Sequence, residues 1–529
     1  MDDALSRQLQ KDFDSTCRVL FGSELGNLPD FLPYLSRFVP KPSIRKSHLS
    51  GNNVIVASRE YSHSASFAAL SELPANKSYS LSINEIKDLD SLLIALAEKC
   101  EYAGSRLFGN SAFAESYDIV SDSQYVLSST KVERSSHVVA SNMIRDGSKY
   151  AFGCQWFAKS EFMLQVHGAH TVKRAFDSYY ITTSSDIYSS YSCVGCHDLM
   201  FSLGQRNARN MIGNLSLEKG KYLSLKGKLL SEIAERLRKG KGMPLLPELA
   251  PDSIPDGLPK ISAKPPKDEH DLGIIRKGFA SAYAVLFKAQ PSHQLEDYKG
   301  WLVRNGVDVK PYKSAFGEVT YCPAAFCHMD FVPKKKLASV PEMLELGKIP
   351  MEEEGTGSLE GVLRFVRDNF LFTCEFYDGN NHNVNQTPCA YNAVNALGGF
   401  DVTNTDNSAY SSVALDSRHI YGGSWVLNSE FCIRCFDSTF LSRCLECDFC
   451  TKCADSYFCH NCEGLTDCMF CFNMKGARHC IGNTQLTREE YMKARDAILA
   501  KLADELDRTA ALKMSIYTIG ATGGPVTKV

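Results

Sequence analysis

The sequence predicts a mixed α+β protein dominated by two parallel β-helix (β-solenoid) arrays. The arrays come from a tandem duplication, and each carries an N-terminal helical or α+β cap and a C-terminal amphipathic helix. Three observations carry this. Leu427–Cys480 holds eleven of the 20 cysteines at gaps that are all multiples of three. Upstream, from about Ser116, short β-prone pieces recur at steps of mostly 12 or 13 residues. A set of anchors also recurs in the same order about 270 residues later.

Composition bounds the classes. Hydrophobic residues make 44% of the 529 and charged residues 22%, ordinary for a folded chain of about two to four domains. A formal charge of −3 argues against a dominant nucleic-acid or membrane surface. The opening MDDALSRQLQKDF lacks a secretory signal, and no apolar run suits a membrane span. A cytoplasmic protein with reduced thiols follows as the expectation.

Taken in order, residues 1–100 form the first cap. It opens with a helix whose Leu5, Leu9, Phe13, Cys17 and Leu20 share a face, and a second helix spans Ile86–Cys100. Residues 101–238 form the first array with its closing helix. Its pieces start at Tyr125, His137, Tyr150, Phe162, Tyr179 and Tyr191, each closely preceded by Ser in most cases. Residues 239–270 are a linker rich in proline, from Pro244 to Pro266. Residues 271–376 cap the second half, 377–512 form the Cys-rich array and its closing helix, and 513–529 a tail. The duplication rests on recurring anchors. Phe13 and Val19-Leu20-Phe21 recur as Phe279 and Val285-Leu286-Phe287, and Cys100-Glu101-Tyr102 as Cys374-Glu375-Phe376. Met211-Ile212-Gly213-Asn214 recurs as Cys480-Ile481-Gly482-Asn483.

The cysteines offer both chemistry and packing. Six fall every ninth residue: Cys435, Cys444, Cys453, Cys462, Cys471 and Cys480. Paired nonapeptides would give an 18-residue turn, with Phe431, Phe440, Phe449 and Phe458 as a neighbouring column. A reduced cysteine is a small apolar filler for a narrow stacked core. The pairs Cys432/Cys435, Cys444/Cys447, Cys450/Cys453, Cys459/Cys462 and Cys468/Cys471 also have zinc-ligand spacing, with His460 and His479 among them. The cysteine-poor first array, with Cys154, Cys193 and Cys196 alone, favours packing over zinc.

Other chemistry is sparse. Cys193-Val194-Gly195-Cys196-His197 matches the haem-attachment spacing, but Cys193 and Cys196 align with Cys468 and Cys471, so the repeat accounts for it. No nucleophile elbow, P-loop or dinucleotide fingerprint occurs. Glu161, Asp177, Asp186 and Asp198 share no register and read as solvated carboxylates, and His167 and His170 as surface residues on a strand. Lys334-Lys335-Lys336 and Lys219–Lys241 read as solvated faces.

The nonapeptide array and the segment Cys480–Asn483, Leu486 and Glu489–Tyr491 resemble cysteine-rich β-solenoid proteins of tailed-phage and uncultivated-bacterial genomes. The resemblance covers about half of the chain and implies a fold, not a catalytic residue. By that association a virion or assembly role is expected, with other protein subunits as partners, a homo-oligomer among the options, and neither membrane nor nucleic acid. The expected function is therefore a non-enzymatic structural or interaction protein without cofactors. A zinc-binding Cys-rich module and a β-helix polysaccharide-active enzyme are the alternatives.

Overall fold

Every third residue through both β-rich regions has a positive φ, whatever its side chain. Tyr125, Ser128, Lys131, Arg134 and His137 lie at 45° to 58°, and Arg443, Glu446, Phe449, Lys452, Asp455, Phe458 and Asn461 at 47° to 55°. Left-handed backbone costs an L-residue about 1–2 kcal/mol, so something must offset it at each site. Hydrogen bonds between layers do. The N–H of Phe449 donates to the carbonyl of Phe436 at 2.9 Å, and that of Asn461 to Asp448 at 3.0 Å, each thirteen residues back. The residue before each one donates the other way, as Asp448 N–H does to the Cys459 carbonyl at 2.9 Å. The third residue of the triplet turns inward.

This computed structural model describes residues 3–58, 60–249, 254, 261, 271–324 and 327–519. The fold is mixed α/β with two large parallel sheets of 14 strands each. Strands mostly pair in parallel with partners twelve residues on, as in Asn142↔Thr130 and Cys468↔Cys480, and some thirteen on, as in Ser136↔Lys149, Asn142↔Gln155, Leu107↔Val120 and Phe376↔Cys389. Four triplets therefore make one layer, which corrects the expected 18-residue turn. Nine residues advance the chain by only three of the four triplets. The ninefold cysteines accordingly fall into different columns. The same shift scatters the four phenylalanines. Phe431 stacks on His419, Phe440 is exposed, Phe449 stacks on Phe108 of the other sheet, and Phe458 stacks on Phe470. In the first sheet the aromatic starts do stack: Tyr125, His137, Tyr150 and Phe162 follow one another at 4.7 to 5.0 Å between centroids.

Helices cover the flanks. Asp3–Phe21 lays Phe13 on Phe152 and Phe21 on Phe176 of the first sheet. Leu272–Phe287 lays Phe279 on Tyr421 of the second. Two 22-residue helices, Lys219–Gly240 and Arg488–Thr509, follow the last strands. Glu218 caps the first by accepting from Gly220 and Lys221, and Thr487 caps the second in a box with Glu490.

The remaining cap segments cross over. The segment before the first sheet packs on the second. Asn483 donates to the Lys77 carbonyl at 2.9 Å, Asn473 to Glu101 at 2.8 Å, and Leu81 N–H donates to Thr484 at 2.9 Å. The segment before the second sheet packs on the first. Asn214 donates to Ile349 at 3.2 Å, Gln205 to Gly347 at 2.6 Å, and Tyr191 to Thr373 at 2.9 Å. Gly213 and Gly482, both at positive φ, admit this approach. A Cβ at Gly213 would sit 2.1 Å from Met351 Sδ, and one at Gly482 would sit 2.5 Å from Leu81. The sheets also touch directly, through Lys131 with Asp437 and Trp156 Nε1 donating to Asp401 at 2.9 Å.

Most of the expected linker lies outside the described residues, as does the tail beyond Ile519. Its described part includes the short helix Leu246–Leu249, and Ile516 and Tyr517 dock on the second sheet.

Because part of each cap packs on the other half's sheet, two chains covering 1–261 and 262–529 should co-purify as a stoichiometric complex when expressed together. Size-exclusion chromatography checks this. Independently soluble, separately eluting halves would show that the crossed contacts do not hold the body together.

Candidate functional site

Three places concentrate chemistry: the thiol columns, the buried polar contacts under the caps, and the cleft between the sheets.

The eleven cysteines from Cys432 to Cys480 are each 2% exposed or less and unpaired. Most Sγ atoms reach two carbonyls, two residues back and nine residues on: Cys450 lies 3.5 Å from Asp448 O and 3.4 Å from Cys459 O. Cys444 and Cys462 repeat the arrangement at 3.2 to 3.5 Å. Burial pushes the Cys435, Cys444, Cys450 and Cys459 thiols well above their ordinary range, which keeps the proton needed for that bond. Serine fills equivalent positions with the same geometry. Ser411 donates to Ala409 and Ile420 at 3.1 and 3.2 Å, and Ser141 to Val139 at 2.8 Å. Serine does one thing more: Ser129 and Ser141 accept the N–H of the residue one layer on, Ser141 and Cys154, both at 3.0 Å. Among the described residues no group of three His, Cys, Asp or Glu side chains is placed to hold a metal ion. That includes the candidate ligands Cys432, Cys435, Cys444, Cys447, Cys450, Cys453, Cys459, Cys462, Cys468 and Cys471.

His460, named with them in the sequence, is engaged by protein at both nitrogens. Its Nε2 lies 3.1 Å from the Ala103 N–H and accepts it, so Nδ1 carries the proton and donates to Asp448 Oδ2 at 2.7 Å. Burial drives this imidazole below its usual pKa against the pull of Asp448. Asp448 also accepts from Tyr61 at 2.5 Å and Tyr517 at 3.2 Å. Beside it, Arg106 meets Asp118 in a two-pronged pair at 2.9 and 2.7 Å and lies over the Phe449 ring at 4.4 Å. Arg434 and Glu446, both with no exposed side-chain surface, pair in the second sheet. Arg434 donates to the Arg304 carbonyl at 2.5 Å, and Glu446 accepts from Ile516 at 3.0 Å. These contacts join neighbouring layers and hold cap and tail segments against them. The crossed partners were not visible in the sequence, because Tyr61 and Asp448 stand 387 residues apart.

The haem-like residues are placed by the layers. Cys193 donates to Tyr191 O at 3.5 Å, Cys196 to Val194 O at 3.3 Å, and His197 Nδ1 meets Ser185 at 2.9 Å. The four carboxylates do not meet in one site. Asp186 and Asp198 sit one layer apart and share Lys226 at 3.5 and 2.8 Å. Glu161 faces Lys173 at 3.8 Å. Asp177 is buried and accepts from Tyr179 and Leu246; desolvation raises its pKa to about 8. Three sequence readings need correction, the first being that of Asp177 as a solvated carboxylate, since it is buried under Leu246. His167 is fully buried, not a surface residue, because Phe38 of the first cap and His328 of the second pack on it and Tyr179 stacks beside it. Lys334–Lys336 is not a uniform solvated face, since Lys336 is buried and Lys334 donates to Met329 O at 2.6 Å.

Between the sheets run two cavities of about 680 and 590 Å³ that share Arg145. The first is lined by Trp425, Phe449, Lys131 and Asp437, and the second by Trp156, Tyr180, Tyr391 and Asp378. No helix among the described residues is long and apolar enough to cross a membrane. The chain matches no family model, no curated protein and no solved structure.

Desolvation lowers the His167 pKa to about 3, against about 6.5 when unfolded. The unfolded chain therefore binds more protons between these values, and stability falls as pH drops through that window. At pH 5 this one residue should cost about 2 kcal/mol relative to neutral pH. Asp177 works in the opposite direction, so the comparison is between the wild type and His167→Phe. Urea midpoints at pH 7 and pH 5 should show a smaller acid loss in the variant.

Proposed function

We propose that this is a non-enzymatic structural or interaction protein: two β-solenoids of twelve-residue coils, arisen by tandem duplication and fused into one stiff body. The observation that carries the reading is where the buried ionisable groups go. Asp448, His460, Arg106, Asp118, Arg434 and Glu446 are the kinds of residue an active site would display, and each is consumed in a buried pair between neighbouring layers that also holds the cap or tail segments packed on them. The solenoid reading is supported by the twelve-residue parallel register. The duplication is supported by Trp156 and Trp425, 269 residues apart, each lining one of the two cavities. Asn214 and Asn483, at the same separation, each reach into the opposite cap.

The role fits a particle component, spacer or docking surface, and the resemblance to phage-associated solenoids points to a virion or its assembly. The thiol columns act as core spacers in this account, and zinc is not required. A second reading has one observation in its favour. The 590 Å³ cavity combines aromatic rings with the carboxylates Asp378 and Asp401, a lining suited to a polysaccharide.

In purified virus particles, peptides of this chain should be recovered at a fixed stoichiometry, and electron microscopy of the isolated protein should show uniform particles. Absence from particles together with glycan cleavage abolished by Asp378→Asn would favour the enzyme instead.

A further inference from the structure

One pair of thiols lies outside the columns. The hairpin strand Val319–Pro323 of the second cap carries Cys322, and its sulfur lies 2.8 Å from that of Cys374. Both residues are buried. Lys334, half-buried at the cap's edge, points its Nζ at Cys322 Sγ from 3.9 Å and is held there by the Met329 carbonyl. The two sulfurs are unequal. The S–H of Cys374 and the Lys334 ammonium hold the Cys322 thiol below its ordinary range, while burial pushes Cys374 well above. A thiolate touching a thiol is the arrangement of an attacking and a resolving cysteine.

We propose that Cys322 and Cys374 form a peroxide-responsive dithiol whose disulfide fastens the second cap where it docks on the first sheet. The Cys322 thiolate attacks one oxygen of hydrogen peroxide, the O–O bond breaks, and the departing hydroxide is protonated to water. Cys322 is then a sulfenic acid. The Cys374 sulfur attacks the Cys322 sulfur, the S–O bond breaks, and the hydroxide leaves with the Cys374 proton as a second water. Two thiols and one peroxide thus give one disulfide and two waters, the sulfurs losing two electrons to the peroxide oxygens. A small oxidant suits a buried pair beside a half-buried lysine. The location matters mechanically. Thr373, adjacent to Cys374, accepts from Tyr191 of the first sheet at 2.9 Å, and Glu375 accepts from Thr320 of the hairpin at 2.7 Å. The disulfide would add a covalent tie where hydrogen bonds now hold the hairpin to the docked segment.

The test treats the reduced full-length protein with a modest excess of hydrogen peroxide, then denatures it in alkylating agent and maps peptides without reduction. A Cys322–Cys374 cross-linked peptide should form before any cysteine between Cys432 and Cys480 is oxidised. Cys374→Ala should accumulate a dimedone-trappable sulfenic acid at Cys322, and Lys334→Met should slow oxidation roughly tenfold by lowering the thiolate fraction. The wild-type map decides the matter even if a variant fails to fold. A pair that stays reduced while column cysteines oxidise would overturn the proposal, as would indiscriminate oxidation of all thiols.

Discussion

The structure depends on one backbone constraint: a left-handed residue at every third position, repeated through two sheets. Isolated, such a chain would be unfavourable at each of those residues. It becomes tolerable because the inversion turns consecutive N–H groups alternately toward the layer behind and the layer ahead. Asn461 bonds back to Asp448, and Asp448 bonds forward to Cys459. The third residue then points inward, into a core that takes small side chains such as cysteine and serine and also Ile187, Leu199, Ile420, Leu441 and Leu465. Cysteine shares one column with Ile420, and where the inward side chain is polar it donates to a carbonyl. In the Cys-poor sheet the inward positions alternate serines such as Ser129, Ser135 and Ser141 with the apolar Val126, Val132, Val138 and Ile144. Serine additionally accepts from the next layer, a service that thiols perform weakly, as in Ala208 N–H to Cys196 Sγ at 3.5 Å.

Much of this was legible in the sequence. Gaps in multiples of three are the triplet itself. The steps of twelve and thirteen from Tyr125 to Phe162 are the layer, and they correspond to the register found. The error lay in giving the second sheet a longer layer than the first. Cysteine occupies only some of the inward positions, and the spacing of a partly filled triplet pattern says nothing of how many triplets close a layer. The two sheets share one register, so the first could have corrected the second.

The crossed caps were not legible. Gly213 and Gly482 mark the close approach, but a glycine does not name its neighbour, and Met351 and Leu81 lie 138 residues later and 401 earlier. The same holds for His460. Its place among the cysteines suggested a ligand, whereas the amide it accepts from belongs to Ala103. His167 shows the converse, a histidine on a strand that is covered by Phe38 of its own half and His328 of the other. Removing one partner of a buried charged pair such as Arg434–Glu446 leaves the other stranded, at about 3–5 kcal/mol. Contacts that cross between halves, such as Tyr61 to Asp448 and Ala103 to His460, make opening of one half costly to the other.

Hydrogen exchange followed by mass spectrometry tests that coupling most directly. If the layers and crossed caps form one cooperative body, peptides spanning 196–214 and 449–483 should be the slowest to exchange and should lose protection together under mild denaturant. Loss of protection in one sheet while the other stays closed would contradict the account.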